Sequence, residues 1–83
     1  MHRCRVCGRG PVEWAHLVPR RYDKEFGYKI PADAIVPLCT EHHRAFDAGR
    51  LDLIPYLSKA EQAFAVSVLG IVRALNRLGG SNS

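Results

Sequence analysis

The chain has 83 residues, of which 47% are hydrophobic and 24% are charged, and this composition predicts a single small globular domain. It contains neither an apolar run long enough to span a membrane nor a stretch typical of a secretion signal, so we expect a cytoplasmic protein without a membrane partner. The formal charge of +4 suits a polyanionic partner such as nucleic acid, although a solvated basic face would give the same balance.

The first half of the chain predicts five short elements. Two glycines close to a pair of thiols indicate a tight turn, and an apolar run with β-branched ends indicates a strand. Pro19 ends that strand because proline lacks the ladder donor. In chain order the prediction is a turn over 1–10, a strand over 12–18, a loop over 20–33, an extended segment over 34–39 and a short helix over 40–49.

The second half predicts one long helix. Ser58 and Glu61 match the capping-box pattern, so a helix should run from residue 59 to about residue 78. An apolar stripe at spacings of three and four predicts packing on the core, and it could also serve a homodimer or a protein partner through helix 59–78. The stripe consists of Phe64, Val68, Ile71, Leu75 and Leu78, widened by Ala65, Leu69 and Val72. We therefore expect a core over 1–50, a helical extension packed on it over 51–80 and a flexible tail over 81–83.

Cysteine and histidine spacing predicts a structural zinc site. Cys4 and Cys7 have the C-x2-C spacing that lets one turn present two thiolates to one ion, and Cys39 with His42 repeats this spacing. Together they give a tetrahedral Cys3His set, and a core this small gains from such a staple. His43 competes with His42 for the fourth place, but His42 has the spacing that mirrors the first pair. The alternative is three small buried thiols and a surface histidine.

The second histidine of this segment indicates a further ion site. His43 and Asp47 are four residues apart, so they share one helix face and could bind a divalent cation. Without other residues at the site, an exposed ion pair would be the better explanation. Arg20, Arg21 and Arg44 flank the candidate site and could bind phosphates, with surface solubility as the alternative for each.

The order of these motifs resembles the HNH endonuclease family, in particular its small phage-type members. The family pattern has a thiol pair, then a strand histidine followed shortly by proline, then a leucine–cysteine pair that leads into a histidine pair. Cys4 to Asp47 follows this order, with His16 on the strand and Leu38 directly before Cys39.

The resemblance implies an α+β fold of the ββα-metal type, here a small zinc-stapled domain with an added C-terminal helix. It implies a metal-dependent DNA endonuclease, nicking or weakly specific, which hydrolyses a phosphodiester with His16 as the general base. It also implies that His43 is a catalytic residue and that His43 and Asp47 bind a catalytic divalent cation. Mg²⁺ or Mn²⁺ suits that site, with Zn²⁺ or Ni²⁺ as alternatives, beside the structural zinc. The location would be the host cytoplasm if a phage encodes the chain.

Two positions depart from the family pattern and leave a second function open. Ala15 stands where the family has aspartate, histidine or another ligand before the base, and Ala34 stands where its middle asparagine falls. Asp33 and Glu13 are the nearby carboxylates. With two protein ligands, water and phosphate would fill the remaining positions, which suits magnesium. The alternative function is a catalytically weakened or inactive HNH-like zinc protein that binds nucleic acid or another protein.

Overall fold

The computed structural model describes residues 2–26 and 31–80, with the backbone alone for Asp23, Glu25 and Phe26. Within them, two strands and three α-helices follow in chain order: β1 (Glu13–His16), β2 (Ile35–Leu38), α1 (Thr40–Asp47), α2 (Lys59–Leu69) and α3 (Ile71–Leu78). Short 3-10 helices span Arg20–Phe26, Ala32–Ala34 and Ile54–Tyr56. This order confirms the predicted α+β fold with a helical C-terminal part. None of the helices in the described residues is long and apolar enough to cross a membrane.

β1 and β2 form a two-stranded antiparallel sheet in which Ala15 pairs with Val36 and His16 pairs with Ile35. Ala15 and Val36 are fully buried. Because successive strand residues point to opposite faces, Trp14 and His16 share the face that is turned away from the core. The pairing therefore determines which side of the sheet presents His16.

The turn that carries the first two cysteines docks on β2. The backbone amide of Arg5 donates to the carbonyl of Pro37 at 2.9 Å. Proline itself has no amide to donate, so it is tolerated in a sheet of only two strands. This docking brings Cys4 and Cys7 close to Cys39, which directly follows β2.

One buried cluster connects the sheet with all three helices. Phe46 contributes to it from α1, Ala65 from α2 and Leu78 from α3. The largest fully buried side chains are Leu17, Leu38, Leu53, Val18 and Val36. Burying a side chain of this size contributes about 1.5–3 kcal/mol to stability. Because the buried residues come from both halves of the described chain, both halves stabilise the same core.

The single helix predicted over 59–78 is wrong at Gly70, where α2 ends and α3 begins. Gly70 has a φ of +84°, a backbone conformation that side chains other than glycine rarely adopt. The break leaves part of the predicted apolar stripe outside the core, since Ile71, Val72 and Leu75 are 56%, 68% and 51% exposed. Leu78, at the end of the same stripe, is buried.

The segment predicted as a loop over 20–33 contains two 3-10 helices. The backbone amide of Tyr22 donates to the carbonyl of Pro19 at 3.0 Å, at the start of the first of them. Such short-range bonds require no apolar periodicity, so the polar sequence gave no signal for them. Residues 27–30 of this segment and the predicted tail over 81–83 lie outside the described residues.

An ion pair joins the cysteine turn to the start of α2. The guanidinium of Arg5 donates to both carboxylate oxygens of Glu61, at 2.7 and 3.0 Å, and also to the carbonyl of Tyr56 at 3.1 Å. Glu61 is buried and forms the predicted capping box with Ser58. Burial opposes the carboxylate charge, but the hydrogen bonds from Arg5 and Ser58 outweigh it and lower the pKa of Glu61 below its ordinary value of 4.5.

Replacing Glu61 by alanine should lower the free energy of unfolding by about 2–3 kcal/mol. Losing the hydrogen bond from the Ser58 amide to the Glu61 carboxylate accounts for about 1 kcal/mol, while the bond from the residue 61 amide to the Ser58 hydroxyl is kept. Losing the charge-assisted bonds from Arg5 adds about 1–2 kcal/mol, because the Arg5 side chain, 34% exposed, can regain water. Since the pKa of Glu61 is lowered, its contribution is complete above pH 4.5 and is lost as the pH falls below that value. Urea unfolding of the zinc-saturated protein at pH 7 therefore measures all of it.

The matched control for this prediction is Glu41→Ala, which removes an exposed carboxylate from α1. We expect a loss within about 0.5 kcal/mol for that variant. Equal losses in the two variants would show that the Arg5–Glu61 pair does not stabilise the fold.

Candidate metal centre and active site

Three segments of the chain bring four metal-ligand side chains into one cluster. Cys4 and Cys7 come from the turn before β1, Cys39 follows β2, and His42 lies in the first turn of α1. Their ligand atoms all lie within 4.8 Å of one another. His42 Nδ1 is 3.5 Å from Cys4 Sγ and 3.2 Å from Cys39 Sγ, and Cys7 Sγ is 3.9 Å from Cys39 Sγ. Tetrahedral zinc ligands lie about 3.4–3.8 Å apart, so the cluster could hold a metal such as zinc.

The neighbours of the cysteines set their protonation. Burial raises the pKa of Cys4, but hydrogen bonds, chiefly those of the backbone at Cys39 and Cys7, lower it to about 6. At Cys7 the backbone amide of Arg9 favours the thiolate, whereas desolvation and the sulfurs of Cys4 and Cys39 prevail and raise its pKa. Cys4 therefore forms a thiolate readily, and its negative charge disfavours a second thiolate at Cys7. A bound dication would offset this repulsion between the two thiolates.

The adjacent histidine faces a different set of groups. His43 Nδ1 is 2.8 Å from Glu13 Oε1, and His43 Nε2 is 3.5 Å from Asp47 Oδ2. The hydroxyl of Thr40 donates to the other carboxylate oxygen of Glu13 at 3.4 Å. When the Nδ1–H group donates to Glu13, Nε2 offers its lone pair beside an oxygen of Asp47, and two such atoms about 3–4 Å apart can share one divalent ion. His42 thus belongs to the cysteine cluster and His43 does not.

A cavity of about 290 Å³ lies beside the His43–Asp47 pair. It is lined by Trp14, His16, Arg20, His43, Asp47 and Arg77. The structure therefore brings together the candidate base, the candidate ion-binding pair and one of the candidate phosphate-binding arginines.

Arg77 ties α3 to the end of β1 that carries His16. Its Nη2 donates to the carbonyl of His16 and its Nε donates to the carbonyl of Leu17, both at 2.8 Å. The guanidinium lies 5.2 Å from the centre of the Phe46 ring, within the range of a cation–π contact. Arg77, which lines the cavity, thereby fixes the position of α3 against the end of β1.

A comparison with protein families explains why the cysteine cluster, the two strands and α1 follow one another in this order. A family model described as HNH endonuclease matches residues 4–52, which is more than half of the chain. The chain belongs to the HNH endonuclease family. Membership indicates a nuclease-type function and implies nucleic-acid binding. The HNH match includes the cysteine cluster, β1, β2 and α1, whereas α2 and α3 lie beyond it.

Two further comparisons, one with curated proteins and one with solved structures, found no match. The assignment of this HNH chain therefore depends on the family match and on the geometry of the site.

Two of the candidate phosphate-binding arginines, Arg21 and Arg44, do not line the cavity that contains His16. Arg21 lines an adjoining cleft. The structure does not bring Arg44 to the cavity, because Arg44 lines a separate surface together with Arg50. Ala15 and Ala34 are 0% and 2% exposed, so small apolar side chains fill the core at the two positions where the family pattern has polar residues.

Two lining residues of the HNH cavity were not singled out from the sequence. Trp14 could have been found from the strand period, because it lies two residues before His16 and so shares its face. Arg77 contacts the carbonyl of His16 across a separation of 61 residues, and nothing in the local sequence signals that contact.

Proposed function

We propose that this HNH chain is a metal-dependent DNA endonuclease that hydrolyses a phosphodiester bond. The observation that carries the proposal is the cavity shared by His16, His43 and Asp47. A candidate base beside a candidate pair of ion ligands supplies the parts that metal-assisted phosphodiester hydrolysis needs. Arg20 and Arg77 line the same cavity and give it the positive charge that a phosphate requires.

His16 is the proposed general base, since imidazole accepts a proton readily near neutral pH. It removes a proton from a water molecule whose oxygen attacks the phosphorus atom. A new phosphorus–oxygen bond forms and the bond to the leaving oxygen breaks. The leaving oxygen takes a proton from solvent water, which yields a phosphate monoester and a hydroxyl group. Arg20 can donate N–H groups to the phosphate oxygens during this displacement.

His43 and Asp47 are the proposed holders of a divalent cation. When bound there, the cation would polarise the scissile phosphate and stabilise the leaving oxygen. One imidazole nitrogen and one carboxylate oxygen suit Mg²⁺ or Mn²⁺, and Mg²⁺ in particular usually keeps several waters. Glu13 acts through His43, because its contact with Nδ1 keeps Nε2 available as a ligand.

The cysteine cluster is proposed to bind structural zinc through Cys4, Cys7, Cys39 and His42. Four protein ligands fill a tetrahedral shell and leave no position for a substrate, which is typical of structural rather than catalytic zinc. α1 then serves both sites, with His42 at the zinc and His43 at the cavity.

Cleavage of an end-labelled DNA duplex by the zinc-loaded protein tests the proposed function. We expect products that end in a phosphate monoester and a free hydroxyl, formed only when Mg²⁺ or Mn²⁺ is added. A duplex that stays intact with each ion, in the presence of folded and zinc-loaded protein, would refute the endonuclease proposal.

Replacing Glu13 by alanine should raise the Mg²⁺ or Mn²⁺ concentration needed for half-maximal cleavage by about 10–100-fold. The saturated rate should change less, because Glu13 positions an ion ligand and takes no part in the proton transfer. Glu13→Gln should restore most of the ion affinity, since its amide oxygen can still accept from Nδ1. The exposed Glu41→Ala is the control, and an equal shift in that variant would exclude a specific role for Glu13.

A second candidate function is a binding module without nuclease activity. Buried Ala15 and Ala34 favour it, because neither can supply the ligand that the family pattern has at its position. This candidate predicts nucleic-acid binding by a zinc-loaded protein that cleaves DNA with neither Mg²⁺ nor Mn²⁺.

A further inference from the structure

A second cleft of about 330 Å³ adjoins the cavity that contains His16. Asp47 and Arg77 line both of them, so the two spaces lie side by side. Its lining includes Pro19 and Arg21, which follow β1, and Arg73, Asn76 and Arg77 from α3. The cleft therefore depends on a helix that lies outside the residues matched by the HNH family model.

The charge of this cleft is mainly positive. Arg21, Arg73 and Arg77 line it, against the single carboxylate of Asp47. Among the described side chains, Arg21 and Arg73 form no ion pair, and both are exposed. Asp47 itself faces the His43 ring at 3.5 Å. Charges that are not neutralised within the protein remain able to bind a polyanion.

Hydrogen bonds fix the position of one of these positive charges, the guanidinium of Arg77. It is held by the two backbone carbonyls at the end of β1. Burial lowers the pKa of Arg77, the carboxylate of Asp47 opposes that shift, and the positive charge of Arg21 adds to it. Arg21 and Arg73 line the same cleft as Arg77, so these positive charges lie near one another beside the cavity.

We propose that Arg21, Arg73 and Arg77 bind the phosphate groups of the DNA strand next to the scissile phosphate. The strand would then pass from the His16 cavity into the cleft under α3. This inference rests on the proposed function, which it extends by naming the path of the substrate backbone. The C-terminal helix thus serves as part of the DNA-binding surface in addition to its packing on the core.

Binding measurements across a range of salt concentrations test this path. The zinc-loaded protein, without added Mg²⁺ or Mn²⁺, is titrated into a fluorescent DNA duplex, and the anisotropy gives the affinity at each salt concentration. Each lost phosphate contact should reduce the slope of log affinity against log salt by about 0.9. We expect this reduction for Arg21→Ala and for Arg73→Ala, and a slope close to that of the wild type for Arg73→Lys. Arg3→Ala, an exposed arginine that lines neither space, should leave the slope unchanged.

The outcomes separate the cleft from the proposed catalysis. Unchanged slopes in both variants, an equal reduction in Arg3→Ala, or no binding by the wild type would overturn the cleft proposal. If the wild type cleaves DNA while the slopes are unchanged, the proposed function stands and the cleft proposal fails. If the slopes fall as expected but no ion supports cleavage, the cleft stands only as a DNA-binding surface, and the endonuclease proposal fails. Thermal melting of each variant confirms that Arg73 and Arg21, both exposed, are not needed for folding.

Discussion

Loss of the metal from the cysteine cluster should unfold the protein. The ligands of the cluster come from the turn before β1, the end of β2 and the start of α1. Without the metal, no coordination bonds connect these three segments. Structural zinc contributes about 10–16 kcal/mol of apparent binding free energy in small zinc domains. Total stability of a folded domain is about 5–15 kcal/mol, and a core of this size lies at the lower end. We therefore expect the metal-free chain to have no cooperative thermal transition.

Circular dichroism during stepwise removal and return of zinc measures this effect. The transition should disappear with a chelator and return with one equivalent of zinc. His42→Ala should bind zinc weakly and melt without cooperativity, whereas His2→Ala, which removes an exposed histidine outside the cluster, should keep both the zinc and the transition. A metal-free protein that retains the full cooperative melt would show that the cluster is not a structural metal site.

His16→Ala should lower the rate of DNA cleavage by about 10²–10⁴-fold, the usual contribution of a positioned general base. The fold should persist, because the structure uses the backbone of His16 in the sheet and in the contact with Arg77. The affinity for DNA and the ion concentration needed for half-maximal cleavage should change little, since His16 is proposed to hold neither. Single-turnover rates on a labelled duplex, at saturating protein and Mg²⁺ or Mn²⁺, isolate the chemical step.

His43→Ala provides the comparison for this variant. It should weaken the response to the divalent ion as well as the rate, because His43 is a proposed ligand. If His16→Ala and His43→Ala show the same shift in ion dependence, His16 acts at the ion rather than as a base. If His16→Ala cleaves within about tenfold of the wild type, the general-base role is wrong.

The local parts of the site could be predicted from the sequence. Two ligands three residues apart on a turn or a helix start are held together by the chain itself, so the spacing of Cys4 with Cys7 and of Cys39 with His42 already constrained the cluster. His43 follows His42 directly, and the rotation of the helix between them turns the two rings to different sites. The motif order also predicted the family, which the match over residues 4–52 confirms.

The C-terminal part was harder to predict because tertiary contacts determine it. A glycine within a helical pattern is tolerated in many helices, so the pattern does not predict the end of α2 at Gly70, where φ is +84°. The apolar stripe predicts one face of one helix packed on the core, whereas Ile71 and Leu75 are exposed. The contact of Arg77 with β1 joins segments about sixty residues apart, and no periodicity signals such a contact.

Conversion of supercoiled plasmid into nicked circles by the zinc-loaded wild type, with His16→Ala in parallel, is the most direct test of an HNH nuclease in this chain. Both proteins should contain one zinc and melt cooperatively before the assay. The wild type should produce nicked circles in proportion to added Mg²⁺ or Mn²⁺ and none without it, and His16→Ala should leave the plasmid supercoiled. A wild type that nicks with no ion, or a His16→Ala preparation that nicks as fast as the wild type, would contradict catalysis at this cavity.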